Sequence, residues 1–406
     1  MAVRRTQDVL ERSEVVEYSS QQGGNAEGEV VYLDYAATTP IDDRVMAAME
    51  PYHGAANASS SHGPGRGSAE AVERARAAVA ALVGARPGEI VFTSGATEAD
   101  NLAIGGVVRA AGGGHVVTTA AEHKAVLETA KAWCDDTTVL PVRRDGSVDP
   151  SVVRSALRRD TVLVSVMAAN NEVGTLSDLE EIGKICRDKG VLFHTDAAQA
   201  AGKVPLDVGR VPLDLMSLSA HKLYGPKGVG ALWVRRDVRD RIRPLMFGGG
   251  HERGLRPGTI NVAGCVGFGQ AASIAQAEFA RDTQHCHRLR GRLLGALFDA
   301  FKGATLNGHP NESVPCIINV CLPNVDAESL LLATPTVAAS TGSACTSAAP
   351  GPSHVLISMG LDREAAGGSL RLSFGRFSTP QDVDRAVEAL STSARLLEKA
   401  GWGVRA

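Results

Sequence analysis

The stretch Ser217-Leu-Ser-Ala-His-Lys-Leu-Tyr-Gly-Pro-Lys-Gly-Val-Gly230 decides how the chain is read. Leu213 to Leu218 form an apolar run of strand length, and Val229 to Val234 form a second one. Between them, His221-Lys222 precede a Gly/Pro turn. A lysine set between two buried strands is costly unless its charge is compensated or its amine is used. A lysine that condenses with an aldehyde cofactor is desolvated and uncharged when free, which suits such a place. The alternative is a surface turn lysine, the commoner fate of a lone Lys. The rest of the chain decides between them.

The 406 residues exceed one ordinary core and imply two units in one body. A net charge of −3 on balanced acids and bases gives no reason to expect a nucleic-acid or membrane surface. No apolar run has the length of a bilayer span. Seven scattered cysteines without paired metal spacing suit a reducing compartment, and the cytoplasm is the expected location. Residues 1–30 read as a frayed extension with a short helix over Thr6–Tyr18. Its acids Asp8, Glu11, Glu14 and Glu17 argue against a mitochondrial transit peptide.

Strand and helix patterns alternate upstream of the lysine, so a mainly parallel sheet covered on both faces is expected between residues 90 and 234. Val30–Leu33 reads as a short strand, and Asp42 as the cap of a helix ending at Met49. Residues 57–67, rich in Ser, Gly and Asn, read as a loop before an Ala-rich helix over Ala69–Val83. Glu89–Phe92 is a strand, and Thr93-Ser-Gly-Ala-Thr-Glu98 turns into a helix, a place where free N–H groups and the positive helix end can cradle phosphate. His123 lies where the strand His115–Thr119 gives way to a helix, on the edge where parallel sheets gather ligands. Asn170-Asn171 follow the strand Thr161–Met167; such amides either close a turn or face a ligand. Asp196 ends the apolar strand Val191–Asp196 and needs a cationic partner if ionised.

Beyond the lysine, Met246–Thr259 is a Gly-rich loop without a Walker or dinucleotide fingerprint, and Ala263 to Ala300 reads as helix. Gln284-His-Cys-His287 on that helix reads as an exposed face, because adjacent side chains diverge too far to share a metal. Cys316 and Cys321 read as structural residues of one strand. Cys345 differs: the small residues of Thr341–Ser353 leave its thiol exposed and mobile, the setting of a reactive cysteine. Arg371, among apolar residues, needs an anionic partner, and a substrate carboxylate would serve.

Six motifs together resemble the cysteine desulfurases, within the class V aminotransferase-like pyridoxal-phosphate enzymes. They are Leu33-Asp-Tyr-Ala-Ala-Thr-Thr-Pro40, Thr93-Ser-Gly-Ala-Thr-Glu98, Glu122-His-Lys-Ala-Val126, Asn170-Asn-Glu172, His221-Lys-Leu-Tyr-Gly-Pro-Lys-Gly228 and Gly342-Ser-Ala-Cys-Thr-Ser347. The likeness runs from Tyr32 to Leu390, and the long stretch around Cys345 resembles the iron–sulfur assembly and nitrogenase-type subgroup. Four positions depart from the family pattern, Ala58, Pro257 and the pair Ala168-Ala169, and none removes a catalytic group.

The resemblance implies an α/β fold of the type I pyridoxal-phosphate class, with helices around a mainly parallel sheet and a smaller α+β domain. It divides the chain into a large cofactor-binding domain over 46–279 and a small domain from 31–45 and 280–406 that carries the Cys345 loop. It implies that Lys222 links covalently to pyridoxal 5'-phosphate, that Asp196 pairs with the ring nitrogen and that Gln199 meets the phenolic oxygen. His123 would stack on the ring and move protons. Ala96, Thr97, Ser219 and His221 would hold the phosphate, with Thr259 reaching in from a second subunit of a homodimer. Asn171 and Arg371 would bind the carboxylate of L-cysteine, and Cys345 would take its sulfur, giving alanine and a persulfide. An acceptor protein would then receive the sulfur. Because only a short tail follows Leu396, tRNA, DNA and thio-metabolite pathways stand beside cluster assembly as destinations. A selenocysteine lyase, another pyridoxal-phosphate aminotransferase or lyase, and a non-catalytic partner-binding scaffold are the competing readings.

Overall fold

A computed structural model describes residues 30–341 and 351–400. A two-residue strand β1 (Val31–Tyr32) leads into an arm over 34–42. The central sheet then uses β2 (Ile90–Thr93), β3 (His115–Thr119), β4 (Thr137–Leu140), β5 (Thr161–Ser165), β6 (Leu192–Asp196), β7 (Leu215–Ser219) and β8 (Gly230–Val234). Their order is β2-β8-β7-β6-β5-β3-β4. Pairings among β3 to β7 are parallel, and β8 runs antiparallel to both β7 and β2. Every strand but β8 therefore points the same way, as the alternating pattern led one to expect.

Alternation along the strands explains why both faces are covered. Val91, Leu163, Leu192, Leu215 and Leu232 pack with the helices Ala96–Ala111 and Lys124–Trp133. Their neighbours Phe92, Val164, Phe193, Met216 and Trp233 face the other way, against the helices Gly63–Leu82, Leu179–Lys189 and Val262–Ala300. With a side-chain period of two, each strand supplies both layers.

A second sheet of β9 (Thr305–Asn307), β10 (Ile317–Cys321) and β12 (Ser369–Ser373) is antiparallel, and β11 (Val337–Ala338) pairs with β1. The 39-residue helix Val262–Ala300 ties the two parts together. Its first turns bury Phe268 and Ala272 against the large sheet's helices, and its last turns bury Leu289, Leu293 and Leu297 toward the second sheet and the helix Pro380–Lys399. Among the described residues, no helix is long and apolar enough to cross a membrane.

Two expectations need correction. The helix expected at Ala69 begins at Gly63, so half of the expected loop is helical. His62 caps it by accepting from the Gly65 N–H, Pro64 suits the first turn, and a Cβ at Gly65 would lie 2.3 Å from the Ser60 carbonyl. Within Gln284–His287, Gln284 and His287 are exposed but Cys286 is buried, because the helix turns that side into the core. His285 uses Nε2 on the Ser378 carbonyl at 2.8 Å.

Candidate active site

Because β8 alone is reversed, the C-terminal ends of β2, β3, β5, β6 and β7 line one edge of the sheet, where parallel sheets place their ligands. That edge carries Ala96 and Thr97 after β2, His123 after β3, Asn171 after β5, Asp196 and Gln199 at the end of β6, and Ser219, His221 and Lys222 after β7. Lys222 ends a single 3₁₀ turn, Ala220–Lys222. Its Nζ donates to the Ala36 carbonyl and, at 2.7 Å, to the Ala37 carbonyl, both on the arm.

Asp196 is buried, and its Oδ1 accepts from the Ala198 N–H at 2.9 Å. Burial raises its pKa, while the backbone bond and then the charges of His123 and Lys222 pull the other way. A cation in front of it favours the ionised form that burial opposes. Gln199 donates to the Ala36 carbonyl at 2.8 Å, and its Oε1 accepts from Lys203 at 2.9 Å, which fixes which way the amide faces. His123 caps the helix Lys124–Trp133, its Nδ1 accepting from the Ala125 N–H at 3.1 Å. That bond makes Nδ1 an acceptor and anchors the ring beside the sheet edge.

The expected phosphate cradle has its own logic. Gly230 lies across from Thr93 on one side and Ser219 on the other. A Cβ there would stand 2.6 Å from Gly95, so only glycine lets the turn 94–97 lean over β8 toward Ser219. The helix Ala96–Ala111 has no side-chain cap, and its first-turn Glu98 is turned to the Ser94 N–H at 2.7 Å and to Arg256 at 2.9 Å. Its opening N–H groups remain for an anion. His221 bonds Thr38 at 3.2 Å, and burial together with the Lys222 charge pushes its pKa down to about 4, which leaves it neutral.

At the carboxylate end the two amides divide the work. Asn170 closes a turn: its Oδ1 accepts from the Glu172 and Val173 N–H groups at 2.8 and 3.0 Å. Asn171 Oδ1 is buried without a hydrogen-bond partner, as is Arg371 Nε. Arg371 Nη1 donates to the Asn171 carbonyl at 3.0 Å, and Nη2 to Asp34 at 2.7 Å. The anion expected from a substrate is thus already supplied in part by the protein. Arg371 also donates its N–H to the Ser340 carbonyl at 2.7 Å, and Ser353 donates to Glu172. Both described flanks of the 342–350 stretch are therefore fixed at this end of the site. Cys345 itself lies outside the described residues.

The class-V aminotransferase family model matches residues 31–386. A cysteine desulfurase IscS of Anaeromyxobacter sp. (strain Fw109-5) is 50% identical over 377 residues, 91% of this chain and 93% of the relative. One of Vibrio cholerae serotype O1 is 48% identical over 370 residues, 89% of this chain and 91% of the relative. Among solved structures, a NifS-like protein superposes with a TM-score of 0.84 at 37% identity, covering 91% of this chain and all of the other. DndA from Streptomyces lividans gives 0.72 at 40% identity, covering 85% and 99%. The chain belongs to the cysteine desulfurase family. It is an enzyme of the class-V aminotransferase group, whose desulfurases work with pyridoxal phosphate.

Set against what a cysteine desulfurase needs, the structure adds residues that the sequence did not single out. Asp34 holds Arg371. The Thr39 hydroxyl donates to the His221 carbonyl at 2.9 Å and accepts from the Tyr224 N–H at 2.8 Å, bracketing Lys222. Glu122, wholly buried beside His123, accepts from Thr119 and from the Met167 N–H, both at 2.9 Å, and burial pushes its pKa up to about 8. Asp34 and Thr39 lie inside a motif quoted for the resemblance, so the signal was present without a role attached. Thr259 stands apart from these residues, exposed on the loop after Pro257.

Proposed function

We propose that this chain takes sulfur from L-cysteine, leaving L-alanine and a persulfide on Cys345, and hands the sulfur to an acceptor protein. Asp196 at the end of β6 and Lys222 just past the end of its parallel neighbour β7, on one edge of the sheet, are the observation that carries this reading. The residues present fit pyridoxal phosphate: an uncapped helix start over a glycine, a buried carboxylate needing a cation, and an orphaned amide and guanidinium at one end. When bound, that cofactor supplies a ring that spreads the charge developing at the substrate α-carbon.

In this reading Lys222 would anchor the cofactor's aldehyde, Asp196 would hold the ring nitrogen's proton and Gln199 would contact the phenolic oxygen. His123 would stack on the ring, and Ala96, Thr97, Ser219 and His221 would take the phosphate. Thr259 serves the partner's site in a homodimer, which accounts for its exposure here. Asn171 and Arg371 orient the substrate carboxylate. The Lys222 amine, released on substrate binding, takes the α-proton. His123, whose Nδ1 would exchange the Ala125 N–H for the thiol proton, deprotonates Cys345, whose unperturbed pKa of about 8.5 leaves it mostly protonated at neutral pH. The Cβ–S bond of cysteine breaks, an S–S bond to Cys345 forms, and the carbon recovers the protons, so no outside oxidant is needed. Residues 46–279 hold the cofactor, while 31–45 and 280–406 bring the carboxylate end and the Cys345 segment.

The purified protein should be yellow and yield alanine and sulfide from L-cysteine in the presence of a thiol. Lys222→Ala should abolish the covalent colour. Cys345→Ala should keep the colour and lose persulfide. Full activity in the Cys345 variant would remove that residue from the mechanism.

A further inference from the structure

The residue two places after Lys222 has a backbone that its side chain should refuse. Tyr224 sits at φ +63°, in the left-handed region that bulky residues avoid. Such a conformation persists only where the surroundings hold it from several sides. Here they do. The Tyr224 N–H donates to Thr39 Oγ1 at 2.8 Å, and its carbonyl accepts from the Asp42 N–H at 3.0 Å. Its phenolic oxygen accepts from the Arg376 N–H at 2.8 Å, and the Arg376 guanidinium lies 4.5 Å from the ring centroid. Phe377 meets the ring edge-on at 5.4 Å. Any side chain at position 375 would collide with the phenol, since a Cβ there stands 2.0 Å from its oxygen.

Arg376 is itself fixed. Its side chain donates to Asp42 at 2.8 Å and to Asp282 at 2.7 and 2.9 Å. Three segments distant in sequence, the arm at 34–42, the long helix at Asp282 and the turn 375–378, therefore converge on one tyrosine. The same arm accepts two hydrogen bonds from the Lys222 amine, through Ala36 and Ala37. Just past the lysine, the left-handed residue reverses the chain, and Gly225 N–H returns to the Ala220 carbonyl at 3.0 Å.

We infer that Tyr224 is a positioning residue for Lys222: held by Arg376, Thr39 and Asp42, its left-handed backbone fixes the direction in which the lysine amine leaves the 3₁₀ turn. This rests on the reading of Lys222 as the cofactor's covalent anchor. Tyr224 touches neither cofactor nor substrate in this role. It sets the aim of the amine before either arrives, and a misaim of an ångström slows a reaction between bound groups by about 100-fold.

The test uses full-length apoprotein mixed with pyridoxal phosphate, following the rise of the yellow absorbance as the amine condenses with the aldehyde. Wild-type, Tyr224→Phe and Tyr224→Ala proteins are compared, and each apoprotein's melting temperature is measured separately. Tyr224→Ala should slow the colour's first-order rise at saturating cofactor by about 100-fold, and Tyr224→Phe, which keeps the ring under Arg376 but loses the acceptor for the Arg376 N–H, by about three- to tenfold. The pH midpoint of the colour should move with the rate. If Tyr224→Ala does not fold, the Tyr224→Phe rate decides alone. Wild-type rates in the variants, with or without a lower melting temperature, would overturn the inference. A wild-type protein that never colours would instead overturn the reading of Lys222 beneath it.

Discussion

Arg76 and Arg371 are both buried, 3% and 0% exposed, and their surroundings differ in one respect. Arg76 is saturated. Its two terminal nitrogens grip Glu252 at 2.7 and 2.8 Å, Nη1 also reaches the Ile90 carbonyl, Nε meets Glu73 at 3.0 Å, and the guanidinium lies over Phe92. Arg371 is incomplete: Asp34 and one carbonyl satisfy its terminal nitrogens, while Nε has no acceptor and the nearby Asn171 Oδ1 has no donor. Leaving such a group unmet costs about 1–3 kcal/mol. A ligand can relieve that cost, so the saturated arginine holds a loop and the unsaturated one is the residue proposed for the substrate carboxylate.

The sharpest way to break this contrast is to remove each arginine and compare two readouts. Arg371→Ala should lower kcat/KM for L-cysteine by about 1,000-fold, as loss of a buried charged contact to substrate does. A loss confined to the urea midpoint, with kinetics intact, would mean that Arg371 is structural. Arg76→Met should do the opposite. It strands Glu252 without its cation, so unfolding free energy should fall by about 3–5 kcal/mol while KM stays within about twofold. A large KM change in that variant would erase the distinction between the two sites.

What was legible in the sequence follows the same division. Lys222, Asp196, His123 and Asn171 could be singled out because each ends or soon follows an apolar strand, and parallel strands bring their ends to one edge whatever the loops do. Asp34 could not be matched to Arg371, because they are 337 residues apart and nothing local signals an ion pair. The helix start at Gly63 was hidden by Gly, Pro and Ser, which read as loop until the cap by His62 and the close approach of Gly65 to Ser60 are seen. The left-handed backbone at Tyr224 ran against local preference altogether, since Gly225 next to it is the residue expected there. Tertiary contacts overrode propensity where the chain serves the lysine.

Asp34→Asn sharpens the contrast at smaller scale. The variant keeps an acceptor for Nη2 and removes the charge that half-neutralises Arg371. A carboxylate would then meet a fuller positive charge, and KM for L-cysteine should fall by about two- to fivefold with kcat unchanged, the size of a partly exposed pair. A rise in KM would show that Asp34 acts by aiming the guanidinium and not by balancing it.

The smallest effect extends the comparison from arginines to a carboxyl group. Glu122, as buried as Arg371, likewise has an orphaned atom, Oε2, beside a satisfied one, and burial pushes its pKa up to about 8. In the unfolded chain the same group titrates near 4.5. Between those values the unfolded state has released a proton that the folded state keeps, so rising pH favours unfolding. The stability Glu122 gives is present below about 4.5 and is lost as pH climbs toward 8. Glu122→Gln keeps the acceptor for Thr119 and Met167 and carries no proton to lose. Its melting temperature relative to wild type should therefore rise between pH 5 and 8, by about 2–4 °C. A constant difference across that range would mean that Glu122 is ionised in the folded protein, with Oε2 finding a donor of its own.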